Sequence, residues 1–324
     1  MARQSGHDAA RWRAAGRLSG PRTEGVHRVS TDQLSADLTA RLAEAGLDPL
    51  AVAALVAAAV AEDLAGGVDV TSVATIPETA RGHADFTARA AGVVAGLPVA
   101  EAVLELVCGA DLVVTRHVRD GDAVAPGTVL FGAETGTRAL LTAERVALNL
   151  LSRLSGVTTV TRAWVDAVDG TGAAIRDTRK TTPGLRALEK YAVRCGGGIN
   201  HRMSLSDAAM VKDNHVVAAG GVAEAFKAVR AAFPDLPVEV EVDHLEQIPP
   251  VLDAGADLIL LDNMSPRQMR EAVALVAGRA RLEASGGLTL ETAREVAETG
   301  VDYLSIGALT HSAPILDIGV DLRA

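Results

Sequence analysis

The sequence predicts an α/β protein whose second half is a parallel-stranded (β/α) barrel, preceded by a smaller domain. Three observations predict it. The chain has 324 residues, more than one domain usually holds. From residue 173 onward, short apolar runs alternate with helical segments, the pattern of a parallel sheet with crossover helices. Polar residues gather just beyond each run, where barrel enzymes place their chemistry. An open doubly wound sheet puts ligands at the same strand ends and is the structural alternative.

Composition narrows the function classes. The hydrophobic fraction of 48% and charged fraction of 22% suit a globular core. Aromatics are 2%, which leaves that core to Ala, Val and Leu and offers little for base stacking. A net charge of -10 repels phosphate backbones and anionic membranes, so neither nucleic acid nor membrane is expected as a partner. Any anionic ligand then needs a local cluster of cations. Cys108 and Cys195 make no disulfide framework and lack metal-ligand spacing, which fits reduced thiols in a cytoplasmic protein. The most apolar stretch, Leu50 to Ala61, is too short to span a bilayer. Residues 1–29 carry Arg3, Arg11, Arg13, Arg17, Arg22 and Arg28 against Asp8 and Glu24, and are expected to be a disordered Arg-rich extension.

Ordered structure is expected from about Ser30. Asp48 to Leu64 reads as an Ala-rich helix that stops at Gly66-Gly67. Gly82 to Thr135 favours strands, interrupted by a helix from Pro98 to Val107. Within it, Val118 to Leu130 sets Gly and Pro turns between short β-branched runs, as in lipoyl-type carriers. It holds no lysine for a cofactor, so it reads as scaffold. A long helix follows from Thr142 to about Leu154, with Val146, Leu150, Leu154 and Val157 on one stripe and Arg145, Asn149 and Arg153 on a more polar one. Strands are then expected over 173–177, 208–211, 238–242, 258–261, 281–284 and 303–306. Helices are expected between them, over 223–232, 266–277 and 289–299.

The strand ends carry the chemistry. Arg179 and Lys180 follow the first run, His201 and Arg202 lie after Gly196-Gly197-Gly198, and Lys212 ends the second run. Singly, each reads as a solvated surface residue. Lys212 is the exception, because it closes an apolar strand where burial is expected and an unpaired charge is costly. At one barrel mouth these cations suit a polyanion. Glu239, Glu241 and Asp243 alternate with valines and so share one strand face, and Asp262 closes the next strand. Beside a phosphate these acids suit Mg²⁺, although ion pairs with the lysines serve them equally. Ser285-Gly286-Gly287 and Ser305-Ile306-Gly307, with His311 behind them, fit phosphate-binding loops after the last strands.

Several of these segments together resemble the quinolinate phosphoribosyltransferase (carboxylating nicotinate-nucleotide pyrophosphorylase) family. They are Thr178 to Arg186, Lys190 to Val193, Gly197 to Arg202, Lys212 to His215, Glu239 to Glu241, Leu261 to Asn263, Glu283 to Gly287 and Ser305 to Ser312. The resemblance runs in consistent order from about Asp32 to the C-terminus and includes Glu62-Asp63 and Asp69-Val70-Thr71. It implies an N-terminal α/β sandwich domain over 30–142, completed by about 313–324, and an incomplete (β/α) barrel over 143–312. It implies transfer of phosphoribosyl from phosphoribosyl pyrophosphate to quinolinate with decarboxylation, in NAD biosynthesis, with Mg²⁺ as cofactor. By the resemblance, Arg145, Arg179, His201, Arg202 and Lys212 hold quinolinate. Lys180, Glu241 and Asp262 handle ribose, pyrophosphate and metal, and Ser285, Gly286, Gly307 and His311 take the 5′-phosphate. A homodimer is also implied, in which Arg145 of one subunit completes the site of the other. Two rivals stand beside this reading. A related phosphoribosyltransferase acting on another base without decarboxylation would need fewer cations, and a non-catalytic nucleotide-binding barrel would not need the acids.

Overall fold

The computed structural model describes residues 34–323, so the expected extension over residues 1–29 lies outside the described residues. Two capped helices come first. Helix α1 (Ala36–Glu44) starts at Ser35, whose hydroxyl accepts the Leu38 amide. Helix α2 (Pro49–Leu64) starts at Asp48, which accepts the Leu50 amide. The expected helix over 48–64 is present and ends on Ala65, which takes the left-handed conformation at φ 47° just before the glycine pair.

A short helix α3 (Val70–Thr75) leads into β1 (Arg81–Ala88), β2 (Gly92–Val93), α4 (Leu97–Cys108), β3 (Val113–Arg116), β4 (Ala123–Val124) and β5 (Val129–Gly136). Strands β1, β5 and β3 pair antiparallel. Phe86 of β1 faces Phe131 of β5 and the rings stack at 4.2 Å, which gives an aromatic-poor core its bulkiest buried pair. Helix α4 packs beside α5 with Val99, Val103 and Leu104 fully buried.

Helix α5 (Thr137–Ala167) is longer than expected. Gly156 and the β-branched residues that follow it lower helix propensity, so residues 142–154 are all that the sequence supports. Tertiary structure overrides this. At Gly156 the Pro314 carbonyl passes so close that a Cβ would collide with it. Thr158 and Thr161 return their hydroxyls to carbonyls one turn back, at 2.9 and 2.8 Å. The expected division between residues 142 and 143 falls inside this helix.

The remaining elements alternate. They are β6 (Ala174–Arg176), α6 (Arg186–Cys195), β7 (Ala209–Val211), α7 (Asp213–Ala219), α8 (Val222–Ala232), β8 (Val238–Val242), α9 (Ile248–Asp253), β9 (Leu258–Asp262), α10 (Pro266–Val276), β10 (Arg281–Ser285), α11 (Leu290–Ala297), β11 (Tyr303–Ser305) and α12 (Ala308–His311). The six strands are parallel and lie in the order β6-β11-β10-β9-β8-β7. The first strand of this half thus pairs with the last, which is the cyclic order of a barrel opened between β6 and β7. A doubly wound sheet would instead reverse its order at a central switch point. The incomplete barrel is the one that forms. On the open side of β6, Ile199 makes a single parallel bridge to Arg176. Val238, Val240 and Val242 are buried against the outer layer, which turns Glu239 and Glu241 inward. Finally β12 (Ile318–Arg323) returns to the first sheet and pairs antiparallel with β1, from Ala88 opposite Ile318 to His83 opposite Arg323.

Candidate active site

The strand ends of the barrel open on a cavity of ≈ 410 Å³. Arg179 and Lys180 reach it from the segment after β6, His201 and Arg202 from the segment after Ile199, and Lys212 from the end of β7. Glu241, Asp262 and Ser285 line it from β8, β9 and β10. Eight of the expected residues therefore meet in one place. Three larger clefts are present, one of ≈ 480 Å³ that shares Arg202 and Met210 with this cavity and two, of ≈ 550 and ≈ 770 Å³, that lie elsewhere. In the latter two, Arg281 meets the Tyr303 hydroxyl and Arg41 and Arg116 meet buried Glu101.

Buried polar contacts hold the loops in place. Asp177 accepts the His201 amide at 2.8 Å and the Asn200 amide group at 2.6 Å, and forms an ion pair with fully buried Lys190. Burial pushes the Asp177 carboxyl up and the Lys190 ammonium down, and their mutual contact opposes both shifts. The phosphate-type loops border the cavity. A Cβ on Gly307 would stand 2.9 Å from Lys180 Cδ and 3.2 Å from His311 Nε2, so Gly307 and His311 lie beside Lys180, although neither they nor Gly286 line the cavity itself. Gly286 has φ +90°, and a Cβ there would strike Asn263 Oδ1 beside Asp262. Arg145 stands apart. It projects from α5 with its side chain 64% exposed, its ion-pair contact is Glu144 at 4.0 Å, and it does not line the cavity of its own chain.

Charge is distributed differently from the sequence expectation. The His201 Nδ1 accepts the Arg202 backbone N–H at 2.7 Å, so Nε2 carries the proton and meets Glu239 Oε2 at 2.5 Å. Burial lowers the His201 pKa to about 4 and raises that of Glu239 to about 7, so the imidazole is neutral at pH 7. The cations lining the cavity are Arg179, Lys180, Arg202 and Lys212. Arg202 is anchored by a 2.8 Å bond to the Ala208 carbonyl. Lys212 is 43% exposed and not buried as expected, because three-residue β7 is the barrel's open edge. Its ammonium pairs with Glu241. The Arg179 Nε is buried without a partner, and such an orphan costs about 1–3 kcal/mol unless a ligand takes it up.

Family models for the N- and C-terminal domains of quinolinate phosphoribosyl transferase match residues 69–155 and 157–321. The chain belongs to the quinolinate phosphoribosyltransferase family. A nicotinate-nucleotide pyrophosphorylase [carboxylating] of Mycobacterium leprae is 54% identical over 265 residues, covering 81% of this chain and 93% of its own. A probable enzyme of the same name from Bacillus subtilis is 43% identical over 262 residues, covering 81% and 90%. Among solved structures, NadC from Streptococcus pyogenes superposes with a TM-score of 0.82 at 41% identity, covering 86% of this chain and 98% of its own.

In this quinolinate phosphoribosyltransferase family member, the sequence reading left Glu283 out of the site. Fully buried in β10, Glu283 accepts from Arg176 and the Ser305 hydroxyl, and its Oε1 lies 3.8 Å from His201 Nε2. The alternation that turned Glu239 and Glu241 inward applies equally to Leu282-Glu283-Ala284 and would have found it. Met210 and Leu260 form an apolar part of the lining, and nothing in the sequence marked them. His201, Glu239 and Glu283 bring ligand-type atoms within 4.8 Å of one another. Glu283 is already committed to Arg176 and Ser305, so hydrogen bonding accounts for the trio.

Proposed function

We propose that this chain transfers the phosphoribosyl group of phosphoribosyl pyrophosphate to quinolinate and decarboxylates the product, giving nicotinate mononucleotide, pyrophosphate and CO₂ in NAD biosynthesis. One observation carries the reading beyond family membership. In a chain of net charge -10, Arg179, Lys180, Arg202 and Lys212 converge with Glu241 and Asp262 on one cavity. Two arginine forks and a lysine suit the two carboxylates of a pyridine dicarboxylate. Holding them aims the ring nitrogen at the ribose C1, a positioning task that needs no covalent nucleophile. As pyrophosphate leaves, Lys180 offsets the charge that develops on it. The positive ring nitrogen then stabilises the electron pair left on the neighbouring carbon when the C–CO₂ bond breaks. That carbon takes up a proton from solvent to give nicotinate mononucleotide. Ser285, Gly286, Gly307 and His311 would take the 5′-phosphate.

Glu241 and Asp262 fit Mg²⁺, since both present hard carboxylate oxygens to the cavity from neighbouring strands. When bound, Mg²⁺ would neutralise charge on the leaving pyrophosphate. Arg145 points the proposal to a homodimer, because an exposed arginine outside its own cavity can serve a two-fold partner's. No single helix among the described residues is long and apolar enough to cross a membrane. A cytoplasmic location is part of the proposal, supported by the two free cysteines.

The test is CO₂ release from quinolinate labelled in the carboxyl group next to nitrogen, with and without phosphoribosyl pyrophosphate. Release that depends on both substrates is expected. Ribosylation of nicotinate in preference to quinolinate would overturn the reading in favour of the non-decarboxylating rival.

A further inference from the structure

We infer that Glu189 and Arg153 are positioning residues that lock together the two loops at the phosphoribosyl end of the site. The inference rests on the assignment of Lys180, Gly307 and His311 to phosphoribosyl pyrophosphate proposed above. Glu189, in the first turn of α6, has a fully buried side chain, and a buried carboxylate needs compensation on both oxygens. It accepts from the Thr182 amide at 2.9 Å, the Thr182 hydroxyl at 2.8 Å, Arg153 Nε at 3.1 Å and Arg153 Nη2 at 2.8 Å. Thr182 closes the segment that carries Arg179 and Lys180. Arg153 reaches Glu189 from α5, and the same guanidinium donates onward to the Thr310 carbonyl and, at 2.9 Å, to the Ala313 carbonyl. Those carbonyls flank His311. A third tie completes the ring, because the Thr310 hydroxyl donates to the Lys180 carbonyl at 2.8 Å.

The ring therefore runs from Lys180 through Thr182, Glu189, Arg153 and Thr310 back to Lys180. Glu189, Arg153 and Thr310 do not line the cavity, so they act through Lys180, which does, and through His311 beside it. A planar fork with donors on three separate nitrogens reaches a carboxylate and two carbonyls at once, whereas the three donors of a lysine ammonium diverge from a single atom. The quinolinate side is anchored separately, Arg202 on Ala208 and Lys212 on Glu241. A loop error of about 1 Å at a reacting centre costs about 10²-fold in rate. Loss of the brace should therefore fall chiefly on phosphoribosyl pyrophosphate, with a smaller loss of quinolinate binding through Arg179, which shares the braced segment.

The full-length double variant Arg153→Met/Glu189→Gln removes both charges together and leaves no unpaired buried ion. Thr310→Val removes the tie to Lys180, together with the longer 3.3 Å bond from the same hydroxyl to the Gly307 carbonyl, at nearly constant volume. Lys180→Ala is the control. Melting temperature, quinolinate affinity by calorimetry, and kcat and KM for each substrate are measured. The double variant should melt cooperatively, lose no more than about tenfold in quinolinate affinity, and lose about 10²-fold in kcat/KM for phosphoribosyl pyrophosphate. Thr310→Val should show a smaller loss in the same parameter, and Arg153→Lys should not restore it. Equal losses for both substrates, or unchanged kinetics in a folded double variant, would overturn the brace. If the double variant does not fold, Thr310→Val with wild-type kcat/KM does the same. A Lys180→Ala enzyme that uses phosphoribosyl pyrophosphate normally would instead sink the underlying assignment.

Discussion

Mixing two inactive variants asks whether a second subunit completes the cavity. Arg145→Ala removes a side chain that is 64% exposed and makes one ion-pair contact, with Glu144 at 4.0 Å. Stability should therefore change by no more than about 0.5 kcal/mol. Lys180→Ala removes a cation from the cavity lining. Each change takes a positive charge from an anion site and should cost about 10²-fold in turnover, so each homodimer retains about 1% of wild-type activity. In the proposed two-fold dimer Lys180 and Arg145 of one chain serve different sites, so lesions carried on opposite chains of a mixed dimer fall in the same site. Random reassortment makes about half of the dimers mixed, and each mixed dimer holds one doubly damaged and one intact site. Activity should recover to about a quarter of wild type, well above the background. The assay is CO₂ release dependent on phosphoribosyl pyrophosphate after dissociation, equimolar mixing and reassembly, with exchange verified by two different tags. Verified exchange without recovery would show that Arg145 does not serve the partner's site. Wild-type turnover by the Arg145→Ala homodimer would refute the reasoning one step earlier.

Three further outcomes follow from particular contacts. Arg202→Ala and Lys212→Ala should each lose quinolinate turnover by about 10²-fold or more while melting cooperatively, since neither supports the core; near-native kinetics would remove the residue from the site. Chelation should abolish activity and added Mg²⁺ restore it, with Glu241→Gln blunting the response to metal or phosphoribosyl pyrophosphate; full activity in excess chelator would leave the acids as ion-pair partners of Lys212. Gly156→Ala places a Cβ against the Pro314 carbonyl. Overpacking of about 1–3 kcal/mol should exceed the gain in helix propensity of about 1 kcal/mol, and an unchanged urea midpoint would show that the crossing chain simply moves aside.

The sequence was most legible where period and caps agree. The Val-Glu alternation of β8 placed Glu239 and Glu241 on one face, and the helices expected from Asp48 and from residue 266 start where the structure has them. Strand order was not legible, because β6, β7 and β11 have three residues each, too few to show a period. The opening between β6 and β7 depends on how the segment around Ile199 settles beside Arg176, a contact between distant residues. The state of His201 was hidden for another reason. A histidine in a cationic motif reads as a cation until its burial and its Arg202 and Glu239 contacts are known. Helix α6 was not expected from the sequence, and its Glu189 and Lys190 are both fully buried. Nothing in residues 186–195 alone distinguishes a solvated charge from one that braces two loops.

Strand β12 has a consequence for biosynthesis. Domains generally fold as units, the N-terminal one first, while the rest of the chain is still being made. Here β1 gains its second neighbour only after residues 318–323 have left the ribosome. Until then its outer edge offers unpaired amides and carbonyls, a template on which other chains can zip. A premature stop codon that deleted only β12 would spare every barrel strand and wound the part of the molecule translated first. Selection against late nonsense changes in this chain would thus act through aggregation of its oldest residues.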